Sequence, residues 1–175
     1  RATSVAVAER PWIEQTRAHL RQAVAERLTP GTPTVFLSGG LDSSIVAREV
    51  ASQTTGKIRT FSIHFGKQYP NELGFARAVA DRIGSEHEEV LIQPRGFLPR
   101  LRQMVWHLDE PIGDPITQPN YELACHVRQH SAGVFNGEGG DPLFGGPKNL
   151  PMLLLHWYGV GNRPANFREQ AYLAS

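Results

Sequence analysis

The stretch Val35-Phe36-Leu37-Ser38-Gly39-Gly40-Leu41-Asp42-Ser43-Ser44 decides the fold. Thr34-Val35-Phe36-Leu37 reads as a short buried strand, Ser38-Gly39-Gly40 as a turn, and the residues from Leu41 to Ala47 as the opening of a helix. A strand feeding a glycine turn and then a helix presents successive backbone N–H groups at a helix N-terminus. Two adjacent glycines let an anion approach without interference from Cβ. Ser43 and Ser44 add hydroxyls in the first helical turn. No lysine lies nearby, and the turn has neither a GK[ST] ending nor the G-x-G-x-x-G spacing, so it is a phosphate seat of a third kind. The same spacing also fits a plain strand-to-helix turn in which glycine solves a backbone problem. Asp42 sharpens the reading, because a carboxylate among phosphate-directed donors repels an anion unless a cation sits between them. It reads as a Mg²⁺ ligand, with helix N-terminal capping as the alternative.

Working outward, the break Thr29-Pro30-Gly31-Thr32-Pro33 separates this strand from an amphipathic helix over residues 12–28. Downstream the pattern predicts strands over 59–65, 88–92 and 133–136. Helices are predicted over 71–83, 98–108 and 118–130. Strands separated by helices of ten or more residues imply an α/β fold with a parallel sheet flanked by helices on both faces. The ligand crevice of such a sheet lies beyond the carboxyl ends of its strands, where a second glycine turn, GEGGDPLFGG over 137–146, also falls. In that turn Asp141 is the natural partner of Asp42 on Mg²⁺. Two carboxylates completed by phosphate oxygens and water suit an octahedral ion that is rarely held by protein alone. Glu138 stands between two glycines at a strand end, with good steric access; an exposed loop carboxylate is its plainer reading.

The chain has 175 residues with 18 Lys+Arg against 17 Asp+Glu, a net charge of +1, so charge gives no argument for a nucleic-acid partner. One core fits this length. Cys125 is the single cysteine, which excludes an internal disulfide framework and cysteine-rich zinc patterns and fits a reducing compartment. No apolar run reaches the roughly 20 residues of a membrane span, and residues 1–12 lack a signal-peptide core. A cytoplasmic location is expected. His126 and His130 are i,i+4 on a predicted helix but lack the glutamate of H-E-x-x-H, which favours two solvated side chains.

The string VFLSGGLDSS resembles the PP-loop of the ATP pyrophosphatases. Its surroundings resemble the synthetase domain of the glutamine-dependent asparagine synthetases and their β-lactam synthetase relatives. That branch shows T-F-S-x-x-F, H-x-E, W-H-L-D-E-P-I-x-D-P and G-E-G-x-D-E-L-F-G-G in this order. Here they stand as TFSIHF at 60–65, HEE at 87–89, WHLDEPIGDP at 106–115 and GEGGDPLFGG at 137–146. The resemblance implies an adenine nucleotide alpha-hydrolase-like (PP-loop) fold and an ATP-dependent amide ligase that releases pyrophosphate while forming an acyl-adenylate, which ammonia then captures. The carboxylate implied is the aspartate side chain, and the cofactors are ATP and Mg²⁺. Ser38, Gly40, Asp42 and Ser43 match positions that hold pyrophosphate or its Mg²⁺, with Gly39 in the same turn. Phe36, Ile63 and Gly137 match positions flanking the nucleotide, and Asn136 stands beside Gly137 at the strand end as a further ATP-binding candidate. Glu138 matches the acid serving the acyl-adenylate and the incoming amine, and Asp141 the second metal carboxylate. Asp109, Glu110 and Asp114 look like a crevice wall for the amino-acid substrate; read alone, they make a capped, proline-punctuated acidic loop.

The sequence departs from that pattern at Pro142, where Glu is usual, at Asn136, where Ser is common, and at Pro147, where Tyr is usual. The family's later P-F-L-D passage and lysine-bearing segment are not in these 175 residues, nor is a glutaminase domain. The expectation is one incomplete synthetase domain over 1–175, completed by a carboxyl-terminal segment, a glutaminase domain or a complementary subunit. The alternatives are a β-lactam or peptide-cyclising ligase, and a degenerate nucleotide-binding module without turnover.

Overall fold

A computed structural model describes residues 9–109, 114 and 116–144. Glu110, the neighbouring 111–113 and 115, and everything from 145 onward, including Pro147 and the apolar run 151–160, lie outside them. The chain divides into two units, Arg1–Asn136 and Gly137–Ser175.

In the first unit the elements are α1 (Glu9–Ala25), β1 (Thr34–Phe36), α2 (Leu41–Ser52), β2 (Arg59–His64), α3 (Leu73–Ile83), β3 (Glu86–Leu91), α4 (Phe97–Leu108) and α5 (Thr117–Val127). The strands pair in parallel in the order β1-β2-β3. Phe135 adds a parallel bridge to Val35 on the free side of β1. Its carbonyl accepts from Phe36 N at 2.9 Å and its N–H donates to Thr34 O at 2.9 Å.

The register explains how helices cover both faces. Val35, Thr60 and His87 lie in one row, and Phe36, Phe61 and Glu88 in the next, so consecutive rows point to opposite faces. Val35 and Leu37 join Val24, Ala47, Val50, Ile58, Ala76 and Ala80 in a core under α1, α2 and α3. Phe61 packs on the other face against Leu123 and Val127 of α5, with Phe36, Ile63 and Val90 beside it. Alanines on α2 and α3 keep those helices close to the sheet, since a methyl is all that separates backbone from backbone there.

Element ends differ from the sequence reading where capping or pairing overrides periodicity. Helix α1 stops at Ala25 instead of Leu28, because Arg27 and Leu28 turn back to donate to Val24 O. Asn71 stays outside α3 and accepts from Leu73 N at 3.2 Å. The same helix ends on Gly84 at φ 69°, with Ser85 N donating to Ala80 O, the left-handed stop that glycine favours. Strand β3 begins two residues early, since Glu86 N is already bonded to Ile58 O. The strand expected over 133–136 is reduced to the bridge at Phe135. Upstream of it, Ser131 Oγ donates to Gly133 O at 2.7 Å and folds the backbone away from the ladder. Helix α5 ends at Val127, so His130 lies in the turn that follows.

One polar network ties α3 to β3. Buried Thr60 shares its hydroxyl with Ser85 Oγ at 2.8 Å and His87 Nδ1 at 2.9 Å, while Glu89 grips Arg77 through both Nε and Nη2. Burial pushes the His87 imidazole below its ordinary value, and the hydrogen bond from Arg77 holds the Glu89 carboxyl below the usual carboxylate range. A group with a depressed folded pKa binds more protons unfolded, so its stabilising effect is complete above the unfolded value and is lost as pH falls. The loss begins near 6.5 for His87 and near 4.5 for Glu89. The urea midpoint is therefore expected to drop between about pH 7.5 and about pH 5.5, and to drop less in His87→Asn, which cannot titrate. A wild-type midpoint flat across that window refutes the assignment.

Candidate functional site

The glycine turn is built by its own serines. Ser38 N donates to Ser43 Oγ at 3.2 Å, and Gly40 N donates to Ser38 Oγ at 3.2 Å. The two hydroxyls lie 2.9 Å apart, and both Ser43 Oγ and Ser44 Oγ reach Gly40 O, at 3.2 and 2.6 Å. Ser43 is 5% exposed, so it organises the turn from inside, while Ser38 faces solvent. Gly39 holds φ 91°, and a Cβ there would sit 2.8 Å from Glu72 O and 2.9 Å from Ala76 N. Both are backbone atoms at the start of α3, so the turn can press against that helix only with glycine at this position.

Gly40 is the N-cap of α2, in extended conformation and without a side-chain cap. The first turn of α2 thus offers N–H groups and the positive end of a dipole. Asp42 lies in that first turn, not at the cap position. It is half-buried and makes no hydrogen bond or ion pair with any described residue. Asp42 does not cap α2, although a carboxylate in the first turn still suits the positive end of the helix dipole.

The turn also sits where the sheet reverses its winding. The connections through α2 and α3 cover one face, and the path from β3 through α4 and α5 returns over the other to reach Phe135 beside β1. Neighbouring strands whose connections leave to opposite faces open a crevice at their carboxyl ends. Phe36 closes β1 there, Ile63 lies two residues beyond Phe61 on the same face, and exposed Asn136 follows the bridged Phe135.

In the second unit, Glu138 is exposed in the turn before α6 (Gly140–Phe144), and half-buried Asp141 stands in the first turn of that helix. Gly137 O accepts from Gly140 N at 3.4 Å, and Gly139 takes φ 97°. Pro142 also falls in the first turn, where a missing N–H would have had no helical partner, so its departure from the family pattern removes a carboxylate at little backbone cost.

The acidic cluster has local duties. Asp109 ends α4 in the left-handed conformation at φ 60°. Asp114 accepts from Ile116 N at 3.0 Å through Oδ1 and from Thr117 N through its carbonyl, which starts α5. Of the block HEE, His87 and Glu89 belong to the network under α3 described above.

Sequence reasoning missed a cavity of about 380 Å³ just past the ends of β2 and β3, lined by Phe65, Ile92, Phe97, Ile116, Gln118 and Glu122 among others. Gln118 is 2% exposed and its Oε1 has no hydrogen-bond partner among the described residues. The Glu122 carboxylate is held by Arg100. The i,i+4 spacing of Gln118 and Glu122 was the available signal. A larger cavity, about 430 Å³, opens at the opposite end of β1, between Thr29 and Thr34 on one side and His130 to Phe135 on the other. It contains no residue of the glycine turn and lies away from the carboxyl ends of the strands.

A parallel sheet flanked by helices, with a serine-tied glycine turn at its reversal point, defines an α/β protein. A family profile described as Asparagine synthase matches residues 15–173. The chain belongs to the asparagine synthase family, a family of ATP-dependent amide ligases. It is similar to asparagine synthetase [glutamine-hydrolyzing] 1 of Bacillus subtilis, 34% identical over 137 residues, covering 69% of this chain and 22% of that protein. A putative asparagine synthetase of Mycobacterium tuberculosis is 35% identical over 161 residues, covering 91% and 23%. Carboxyethyl-arginine beta-lactam-synthase of Streptomyces clavuligerus is 43% identical over 95 residues, covering 54% and 18%. Among solved structures, the NH3-dependent NAD synthetase of Campylobacter jejuni aligns with TM-score 0.44 at 12% identity, covering 73% of this chain and 56% of that one. The chain spans about a fifth of the length of the curated relatives it matches. Among the described residues no helix is long and apolar enough to cross a membrane.

Proposed function

We propose that this chain supplies the ATP-activating part of an amide ligase of asparagine synthetase type. It would convert a carboxylate, the aspartate side chain, to an acyl-adenylate with release of pyrophosphate, and ammonia would then take the acyl group, expelling AMP and giving up a proton. The observation that carries the reading is the uncapped first turn of α2 behind Gly39 and Gly40, with half-buried Asp42 unpaired among the described residues. The donor set fits the ligands. Backbone N–H groups at a helix N-terminus suit phosphate oxygens, and an unpartnered carboxylate beside them suits Mg²⁺. When bound, Mg²⁺ neutralises charge on the departing pyrophosphate.

The chain's own residues would divide the work. The first turn of α2, which Gly39 and Gly40 leave open, would orient the phosphates; Ser38 and Ser43 would hold the turn in that shape; Asp42 would hold the cation, with Asp141 as the second carboxylate that the family resemblance implies. Phe36 and Ile63 give the nucleotide an apolar flank, with Asn136 and Gly137 at the neighbouring strand end. Glu138 accepts or delivers a proton during amine capture. Asp109, Glu110 and Asp114 would border the amino-acid substrate. The relatives' description as glutamine-hydrolyzing, and the small share of their length that this chain spans, support ammonia delivery by a glutaminase domain elsewhere in the whole protein.

Calorimetry with Mg-ATP on wild type and Asp42→Ala tests the site. Asp42→Ala is expected to weaken binding by at least about tenfold, roughly the worth of one charge-assisted ligand. Equal affinity in the two proteins removes the metal assignment. The identity to the β-lactam synthase over 95 residues favours a second reading, in which the adenylated carboxylate is attacked by a different amine. Pyrophosphate release that does not depend on aspartate selects that reading over the first.

A further inference from the structure

We propose that Glu88, His126 and His130 form a binding site for a borderline transition-metal ion of the Zn²⁺ class, which clips β3 to the end of α5. The three side chains offer ligand atoms that all lie within 4.8 Å of one another. Glu88 Oε1 and His126 Nε2 already meet at 2.7 Å.

The fold puts them there by three independent routes. His126 and His130 are four residues apart across the last turn of α5 and the turn after it, so both rings project from one side. Glu88 is the register partner of Phe61 on β2, which places its side chain on the α5 face of the sheet. Phe61, 1% exposed, is the platform for both imidazoles: the His126 ring meets it edge-on at 6.0 Å and the His130 ring stacks on it at 6.1 Å. The two imidazole centroids lie 6.0 Å apart. A rigid buried ring therefore restricts the rotamers of both candidate ligands, and less freedom is lost when they bind an ion.

Ligand chemistry selects the ion. Two neutral imidazoles and one carboxylate are the donors Zn²⁺ prefers, whereas Mg²⁺ asks for oxygen alone. Tetrahedral Zn²⁺ with bonds of about 2.0–2.2 Å sets its ligand atoms roughly 3.4 Å apart. Glu88 and His126 would open by about 0.7 Å, and the wider pairs would close by side-chain rotation. The Glu88 side chain is 49% exposed and that of His126 35%, which leaves a path for the ion and room for water as a fourth ligand. The site shares no residue with the glycine turn and no residue with the proposed Mg²⁺ pair.

The test is titration of the chain, free of any histidine tag, with Zn²⁺ alone. Calorimetry is read beside the ring resonances of all seven histidines. One ion per chain is expected, with the His126 and His130 resonances shifting together and the others still. His126→Ala and His130→Ala should each weaken binding by about tenfold or more, and Cys125→Ser should leave it unchanged. Because the rings also pack on Phe61, Glu88→Gln is the companion variant: it leaves that packing intact and should weaken binding as well. Absence of Zn²⁺ binding by wild type, still resonances at His126 and His130, or Glu88→Gln and His130→Ala that bind like wild type would each overturn the site.

Discussion

Replacement of Gly39 by alanine is expected to destabilise the protein by about 2–5 kcal/mol and to abolish nucleotide binding with it. Two costs add. A β-carbon at φ 91° is strained, at about 1–2 kcal/mol, and it also overlaps two backbone atoms of α3, an overpacking worth about 1–3 kcal/mol. Backbone cannot rotate aside as a side-chain tip can, so the turn or the helix must shift. Gly74→Ala is the matched control. That position lies within α3, a Cβ there meets nothing within 4 Å, and alanine's better helix propensity should raise stability by up to about 1 kcal/mol. Urea unfolding of the three proteins reads both effects. A Gly39→Ala midpoint equal to wild type means that the turn does not bear on α3 as described.

Glu138→Gln should reduce amide formation by about 10²–10³-fold while leaving Mg-ATP affinity within about twofold of wild type. The substitution keeps size, turns one acceptor oxygen into a donor, and removes the charge and the capacity to take up a proton. Its proposed place is beside the acyl group, where the amine must lose a proton as the new bond forms, and not on the phosphates. In a preparation that turns over, pyrophosphate release and amide formation are followed separately, and the second should fall further than the first. Parallel loss of nucleotide affinity assigns Glu138 to the phosphates instead.

The parts of the fold readable from sequence were those in which apolar spacing and punctuation agree. Around Gly39 and Gly40, a buried strand, a glycine pair and a serine-rich helix start all point to one geometry. Strand β3 was harder, because Glu86, His87, Glu88 and Glu89 carry no apolar alternation; their pairing partners on β2 define the strand. Phe135 was legible as strand-like, but Gly133 and the Ser131 turn cut the strand to a single bridge. At the site, Asp42 could be singled out by charge logic and placed in the helix that opens at Leu41, whereas the cap itself, Gly40 in extended conformation, needed backbone geometry. The spacing of His126 and His130 was plain in the sequence. Their carboxylate neighbour stands 38 residues away, and only the register of β2 with β3 brings it to them. Gln118 was harder to read, since it shares a cavity with Ile92 and Phe97 and donates to Gly96 O, residues more than twenty positions away.

The serine hydroxyls that lace Ser38, Gly40, Ser43 and Ser44 together bear on the kinetics of encounter. A loop that had to fold around its guest would add a slow closing step and a loss of chain entropy to every association. This turn holds its shape through bonds among its own residues. An arriving anion meets a finished seat, so its on-rate should follow diffusion and ionic strength, and variation in affinity among guests should reside in how fast they leave.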